Sequence, residues 1–302
     1  MFKVVKNRLY FYIFSIFIVV LSFLAIFIWK LNISIDFKGG SIIEISAPDL
    51  AKSADEVKES SLSVGLEIQS ASSSGNDKLV IRTKNLSPEE HTKLIENLKV
   101  SVNQSIVEDN FQTIGPVVSQ DLTRKAIWAV VIASIAIIFY IAYAFRKLPK
   151  SASSWHFGVT AVIALIHDLI VTTGFVALIG HFYSWMQVDS LFITALLTIM
   201  GFSVHDTIVV FDRIRENLVR HPGADLETLS NDSILQTISR SINTSLTTIL
   251  VLLALFLLGG ESIKHFVLTL IIGITFGTYS SIFIATMLLV SWNNLTNKKL
   301  EN

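Results

Sequence analysis

Apolar and polar positions segregate along this chain into six long apolar runs, with one mixed stretch between the first two. The runs are Leu9–Trp29, Ala126–Phe145, Phe157–Gly180, Ser190–Phe211, Ile242–Gly260 and Phe266–Trp292. At ~1.5 Å per residue each is long enough to cross ~30 Å of hydrocarbon as a helix. From about Leu31 to Lys125 the pattern changes. It reads strand Ser41–Ser46, helix Ser53–Val64, strand Leu66–Ala71, strand Leu79–Thr83, helix Ser87–Gln104 and strand Ile106–Thr113. Gly75-Asn76-Asp77 supplies a hairpin turn, and Ser87-Pro88-Glu89-Glu90 a helix start with a cap, a first-turn proline and two acids. That order, β-α-β-β-α-β, predicts a ferredoxin-like α+β domain. The expected fold is a polytopic α-helical membrane protein of six transmembrane helices, with this domain between helices one and two. Residues 1–30 would hold the N-terminus and first helix, 31–125 the domain, 126–292 the other five helices and 293–302 a tail.

Composition agrees with a membrane class. The chain has 302 residues, 51% hydrophobic and only 16% charged, and its mean hydropathy is +0.59. Formal net charge is zero, so nothing points to nucleic acid, and the absence of cysteine excludes disulfides and thiolate metal sites. The first run is too long for a signal-peptide core and no small-residue cleavage site follows it, so it reads as an uncleaved anchor. Basic residues gather at one set of ends: Lys3, Lys6 and Arg8; Arg146, Lys147 and Lys150; Arg213, Arg215, Arg220 and Arg240; Lys298 and Lys299. The opposite short loops, His181–Asp189 and Glu261–Lys264, hold only Lys264. The positive-inside rule then places both termini in the cytoplasm and the mixed domain outside.

The candidate chemistry lies in two His-Asp pairs inside apolar runs, His167-Asp168 and His205-Asp206. A carboxylate at membrane depth costs ~2.5–3.5 kcal/mol on insertion scales, so two of them point to transport, above all of protons. Asp168 falls near the middle of its run and Asp206 toward the cytoplasmic end of the next, a stagger suited to proton hand-off. The plainer alternative is that each acid only hydrogen-bonds a neighbouring helix, and either histidine reads equally as a core hydrogen-bonding residue. Arg240 opens the fifth run, followed on one helical face by Asn243, Thr244, Thr247 and Thr248, and is expected to pair with Asp206 unless it merely anchors the helix. Asp212, Arg213, Arg215 and Glu216 read as a charged, solvated helix exit. Gly273, Gly277, Ser281 and Ala285 recur every fourth residue and permit close helix approach, within the chain or against a second subunit. Gly39-Gly40 and Gly115-Pro116 bracket the mixed domain as places where the backbone can bend, and Asp36 and Asp121 flank it as turn or cap residues.

These residues together resemble the SecF branch of the SecD/SecF family of protein-export membrane subunits, in the resistance-nodulation-division superfamily. The resemblance rests on Asp36-Phe37-Lys38-Gly39-Gly40-Ser41, on Ile114-Gly115-Pro116-Val117-Val118 and on His167-Asp168-Leu169. Its most specific stretches run from Gly201-Phe202-Ser203-Val204-His205-Asp206 to Glu216-Asn217, and from Ile242-Asn243-Thr244-Ser245-Leu246-Thr247-Thr248 through Gly259-Gly260. Such a resemblance implies a bacterial inner-membrane protein that works with SecD, the SecYEG translocon and accessory subunits on exported polypeptide. It implies use of the proton motive force in late-stage translocation, with Asp206 and Arg240 as the coupling positions. His205 stands where the family usually has asparagine, and Lys38 where it has a small, hydroxyl-bearing residue.

No enzymatic activity, cofactor or resident metal is expected. The coupling ion would be the proton, with sodium as the alternative, because carboxylate and hydroxyl oxygens suit it too. Rival readings are an intramembrane aspartyl protease, which needs Asp168 and Asp206 to share a proton but lacks a Gly-x-Gly-Asp motif, and a passive structural subunit of the translocon. A drug-efflux half-transporter is disfavoured by the single small domain. Independently of the family, one repeat with polar faces needs a second bundle, from another protein or another copy, to bury them.

Overall fold

The computed structural model describes residues 3–48, 50, 54–63, 65–66, 68–73, 77–146 and 153–301. Its first elements are a 3-10 turn (Val5–Asn7), α1 (Arg8–Trp29), α2 (Ile35–Lys38), β1 (Gly40–Ser46), α3 (Ala54–Ser63), β2 (Ile68–Ser73), β3 (Lys78–Thr83), α4 (Pro88–Ser101) and β4 (Val107–Ile114). Long helices follow: α5 (Pro116–Ala144), α6 (Ser154–Phe182), α7 (Ser190–Arg220), α8 (Leu226–Leu258) and α9 (Glu261–Tyr279). A π-helical segment, Ser280–Ile284, joins α9 to α10 (Ala285–Glu301). Two compact units result, Met1–Asn32 with Trp128–Asn302, and Ile33–Ile127.

In the smaller unit the four strands form one antiparallel sheet in the order β2-β3-β1-β4. Side chains alternate across a strand, so Ile43 and Ile45 of β1 and Leu79 and Ile81 of β3 share one face. They are buried in one cluster with Val57 of α3 and Leu94 and Leu98 of α4. α4 starts as its sequence requires: the Ser87 hydroxyl accepts from the Glu90 amide at 3.3 Å, and the Glu90 carboxylate accepts from the Ser87 amide at 2.7 Å. It ends at Ser101, earlier than the pattern suggests, because Asn103 turns the chain into β4. Ser53, Val64 and the Gly75-Asn76 turn lie outside the described residues.

The glycine joints differ from expectation. Gly39 (φ +72°) ends α2, and Gly40 (φ +126°) opens β1 opposite Ile114, where a Cβ would fall 2.6 Å from the Thr83 carbonyl oxygen. Both need a backbone conformation that favours glycine. Gly39-Gly40 and Gly115-Pro116 are thus knit into the sheet unit, whose boundaries fall instead after Asn32 and after Ile127. Asp36 lies in the unexpected α2, and Asp121 pairs with Lys125 one turn on at 2.7 Å.

Among the described residues are six helical spans long and apolar enough to cross a membrane, the last being Ser262–Thr296 across the π segment. Half or more of the apolar windows of α6, α7 and the last span is buried, against 17% for the first helix, 6% for α5 and 11% for α8. The first group therefore forms the core, and α1, α5 and α8 are peripheral. In that core Phe145 stacks on Phe157, and Phe211 meets both rings edge-on, at centroid distances of 4.9–6.1 Å. The small-residue ladder packs within the chain: Gly273 lies against Ile199 and Gly277 against Ser203, both on α7. Two helices outrun their apolar patterns, α7 continuing to Arg220 and α8 starting at Leu226, because Asn217 bonds Ser233 at 2.8 Å and Gln236 at 3.1 Å. α10 stays helical to Glu301, through most of the expected tail. Lys147, Lys150 and the Lys298 and Lys299 side chains lie outside the description.

Candidate functional site

Both aspartates of the His-Asp pairs point into the larger unit, with Asp168 0% and Asp206 1% exposed. α6 carries Asp168 at its centre, and the Ser203 hydroxyl of α7 is hydrogen-bonded to Asp168 Oδ2 at 2.6 Å. Ser203 stands three residues before Asp206 on the same helix, so the two acids are about one turn, ~4.5 Å, apart along α7. The offset runs toward the charged end of α7. Asp168 Oδ1 meets His167 Nδ1 at 3.0 Å. The other ring nitrogen of His167, Nε2, is buried with no hydrogen-bond partner among the described residues.

Ser203 also links to the π segment. Its hydroxyl lies 3.1 Å from that of Ser281, which donates to the Ser203 carbonyl at 2.7 Å. Such approach is possible because Gly277, one turn earlier, has no side chain, and a Cβ there would sit 3.6 Å from Asp168 Oδ2. π-segments inside α-helices concentrate at functional sites. Nothing in the sequence pattern marks this one beyond the Ser280-Ser281 doublet.

Asp206 has a separate set of partners. Its Oδ2 lies 3.3 Å from Ser245 Oγ and 3.4 Å from Thr278 Oγ1, and those two hydroxyl oxygens lie 2.5 Å apart. Among the described residues no hydrogen bond joins the two carboxylates, and no lysine or arginine pairs with either.

The expected Arg240–Asp206 pair is therefore not formed in this conformation. Arg240 is exposed, and so are Asn243, Thr244 and Thr247, with Thr248 half-buried. The inward stripe of α8 is instead Ser233, Thr237, Ser241 and Ser245, spaced by four and all buried. Arg240 and Ser241 are adjacent in sequence, but one residue turns a helix by ~100°, which sends them to different faces. The Thr244 hydroxyl donates to the Arg240 carbonyl, and those of Thr247 and Thr248 donate to the Thr244 carbonyl, so they serve their own helix. The Ser/Thr repeat was the available signal for the inward face. His205, next to Asp206, faces outward and is exposed.

The charged exit of α7 is partly solvated and partly structural. Arg215 pairs with Asp212 at 3.1 Å, while Arg213 and Arg220 both reach Glu216 and Arg213 also bonds Gln236 of α8. Exposed pairs of this kind are screened by solvent and add little to stability. At the opposite end of α7, Asp189 caps the helix by accepting from the Phe192 amide at 2.8 Å and meets His265 Nε2 at 2.8 Å. No cluster of three or more His, Asp or Glu side chains able to hold a metal occurs among the described residues.

Fold and site define a polytopic helical membrane protein whose central helices bury two carboxylates among hydroxyl groups. Residues 94–295 match the family described as protein export membrane protein SecD/SecF, C-terminal. Over 97% of its length the chain is 41% identical to protein translocase subunit SecF of Thermobaculum terrenum, covering 95% of that protein. It is 38% identical to the same subunit of Anaerolinea thermophila, with 97% and 95% covered. The crystal structure of SecDF, a translocon-associated membrane protein from Thermus thermophilus, superposes with a TM-score of 0.81 at 32% identity over 97% of this chain. This chain spans 39% of that longer polypeptide. A SecDF crystal structure in a super-membrane-facing form gives a TM-score of 0.71 at 31% identity. The chain belongs to the SecD/SecF family, on its SecF branch, and its work is protein export.

Proposed function

We propose that this subunit acts beside SecD in the bacterial inner membrane, drawing on the proton motive force to promote late translocation and release of polypeptide from the SecYEG channel. In this reading both termini are cytoplasmic and the sheet unit, a ferredoxin-like domain by its element order, is periplasmic and works on the emerging chain. The observation that carries it is Asp206: a carboxyl group 1% exposed at the heart of a membrane bundle, held by the Ser245 and Thr278 hydroxyls and paired with no cation. Such a group is costly unless its charge changes in use.

Arg240 supplies the second state. Ionised Asp206 attracts the guanidinium, which requires α8 to rotate; protonated Asp206 releases it, and the present arrangement has the geometry of the released form. Each proton crossing 100 mV delivers ~2.3 kcal/mol, enough to bias two conformers of the sheet unit that differ by a few kcal/mol. His167, Asp168 and His205 are available as relay groups. The match to two SecDF structures, in which this chain spans 39% and 40% of the longer polypeptide, supports SecD as partner. The protease reading finds no shared proton between the acids. Export into vesicles energised by a proton gradient or by a sodium gradient tests the proposal. Asp206→Asn is expected to insert and assemble normally and to lose the gradient-dependent increment; an undiminished increment, or one driven by sodium alone, overturns proton coupling at Asp206.

A further inference from the structure

Three contacts around Asp168 can all be hydrogen bonds at once only if that side chain carries a proton. Three contacts form one chain: Asp168 Oδ2 to Ser203 Oγ at 2.6 Å, Ser203 Oγ to Ser281 Oγ at 3.1 Å, and Ser281 Oγ to the Ser203 carbonyl at 2.7 Å. Each of the three needs one hydrogen. A serine hydroxyl supplies only one, and a carbonyl supplies none. Two serines therefore provide two hydrogens for three bonds. Because the carbonyl can only accept, Ser281 must donate to it, Ser203 must then donate to Ser281, and the remaining hydrogen must come from Asp168. On the other oxygen a hydrogen on His167 Nδ1, 3.0 Å away, meets the requirement.

We propose that Asp168 is a second proton-carrying group of this subunit, and that its acid form is what ties α6 through Ser203 to the π segment at Ser281. Loss of the proton reverses the chain. Ser203 then turns its hydrogen to the carboxylate, and the Ser203–Ser281 contact is left as two oxygens facing each other without a hydrogen between them. The contact between α7 and the π segment loosens as a result. Asp168 is thereby a positioning residue: its charge reaches the last span through two hydroxyls. The titratable groups near it are His167 on its own helix and Asp206 one turn along α7. Gly277, Ser280 and Ser281 are the residues the last span presents, and none of these titrates.

This inference stands on the Asp168 contacts alone and survives or fails independently of Asp206–Arg240 coupling. Infrared difference spectra of the full chain in lipid, recorded through a pH titration, report the carbonyl stretch of a protonated buried carboxyl. A band at neutral pH is expected that is absent in Asp168→Asn and retained in Asp206→Asn. Ser281→Ala removes the acceptor of the Ser203 hydrogen and frees it for the carboxylate, so the band should vanish at a lower pH than in the native chain. If Asp168→Asn is poorly folded, the Ser281→Ala comparison decides by itself. A native protein without the band at neutral pH, a band abolished only by Asp206→Asn, or an unchanged titration in Ser281→Ala would each overturn the assignment.

Discussion

Gly174 holds α1 and α6 together by having no side chain. A Cβ there would fall 2.4 Å from the Ser22 Cα and 2.3 Å from its Cβ, so the helix backbones, not a flexible side-chain tip, would have to move. Gly174→Ala is expected to destabilise the fold by ~1–3 kcal/mol, the usual cost of overpacking. Gly201 on α7 has open space around it, and Gly201→Ala should be neutral or stabilising by up to ~1 kcal/mol, since glycine is unfavourable inside a helix. Thermal unfolding of the two variants side by side in one detergent checks this; equal shifts would show that the α1–α6 approach is not a structural requirement. Sequence reveals such residues unevenly. Asp168 and Asp206 stand out because a charge in an apolar run is conspicuous, whereas their partners Ser203, Ser245 and Thr278 are common residues whose value depends on helix rotation. Arg240 shows the same limit from the other side, being a plausible partner by sequence distance that lies on the outer face.

At the level of elements, α4 was legible because its start signals are local: the Ser87–Glu90 box and Pro88 act within one turn. The π segment and α2 were not, since neither is specified by a propensity or a period; they depend on packing, the first at Ser203 and the second where Gly39-Gly40 opens the sheet. The local signals also make the sheet unit sensitive to acid. The Ser87 backbone amide and hydroxyl hold the Glu90 carboxyl below the ordinary carboxylate range. Lys78 first, and the Ser46 hydroxyl second, do the same for Asp109, which bridges β4 to β3 and β1. A depressed folded value means the contribution is complete above the unfolded value, roughly 4 for these groups, and is lost as pH falls through the folded value. Hydrogen exchange of the intact protein should therefore show α4 and β4 amides unchanged at pH 5 and above and opening progressively below about pH 4. Ser87→Ala, which removes the cap at a cost of about 1 kcal/mol, should weaken α4 protection already at neutral pH. Acid-independent protection in the native chain would count against both assignments.

For the molecule as a whole, the distribution of burial argues that one repeat is half of a larger bundle. α6, α7 and the last span are enclosed, while α8 buries only 11% of its apolar window and turns Arg240, Asn243, Thr244 and Thr247 outward. Arginine facing hydrocarbon costs ~2.5–3.5 kcal/mol at the centre of a span and less near its end, and the Asn243 amide beside it adds to that cost. Apolar residues would be expected on such a face if lipid were its permanent environment. A second bundle with polar groups of its own removes the penalty, and the proposed SecD partner supplies one. Because the chain has no cysteine, single cysteines report on this face without background. Asn243→Cys and Thr247→Cys should cross-link to SecD in membranes containing both proteins, and Thr237→Cys, on the buried stripe, should not. Capture from Thr237 as readily as from Thr247 would mean that α8 is rotated from the position described. Capture from none of the three, with both proteins present and assembled, would place the partner on α1 or α5, the other two poorly buried helices, and would leave Arg240 as an anchor at the membrane surface.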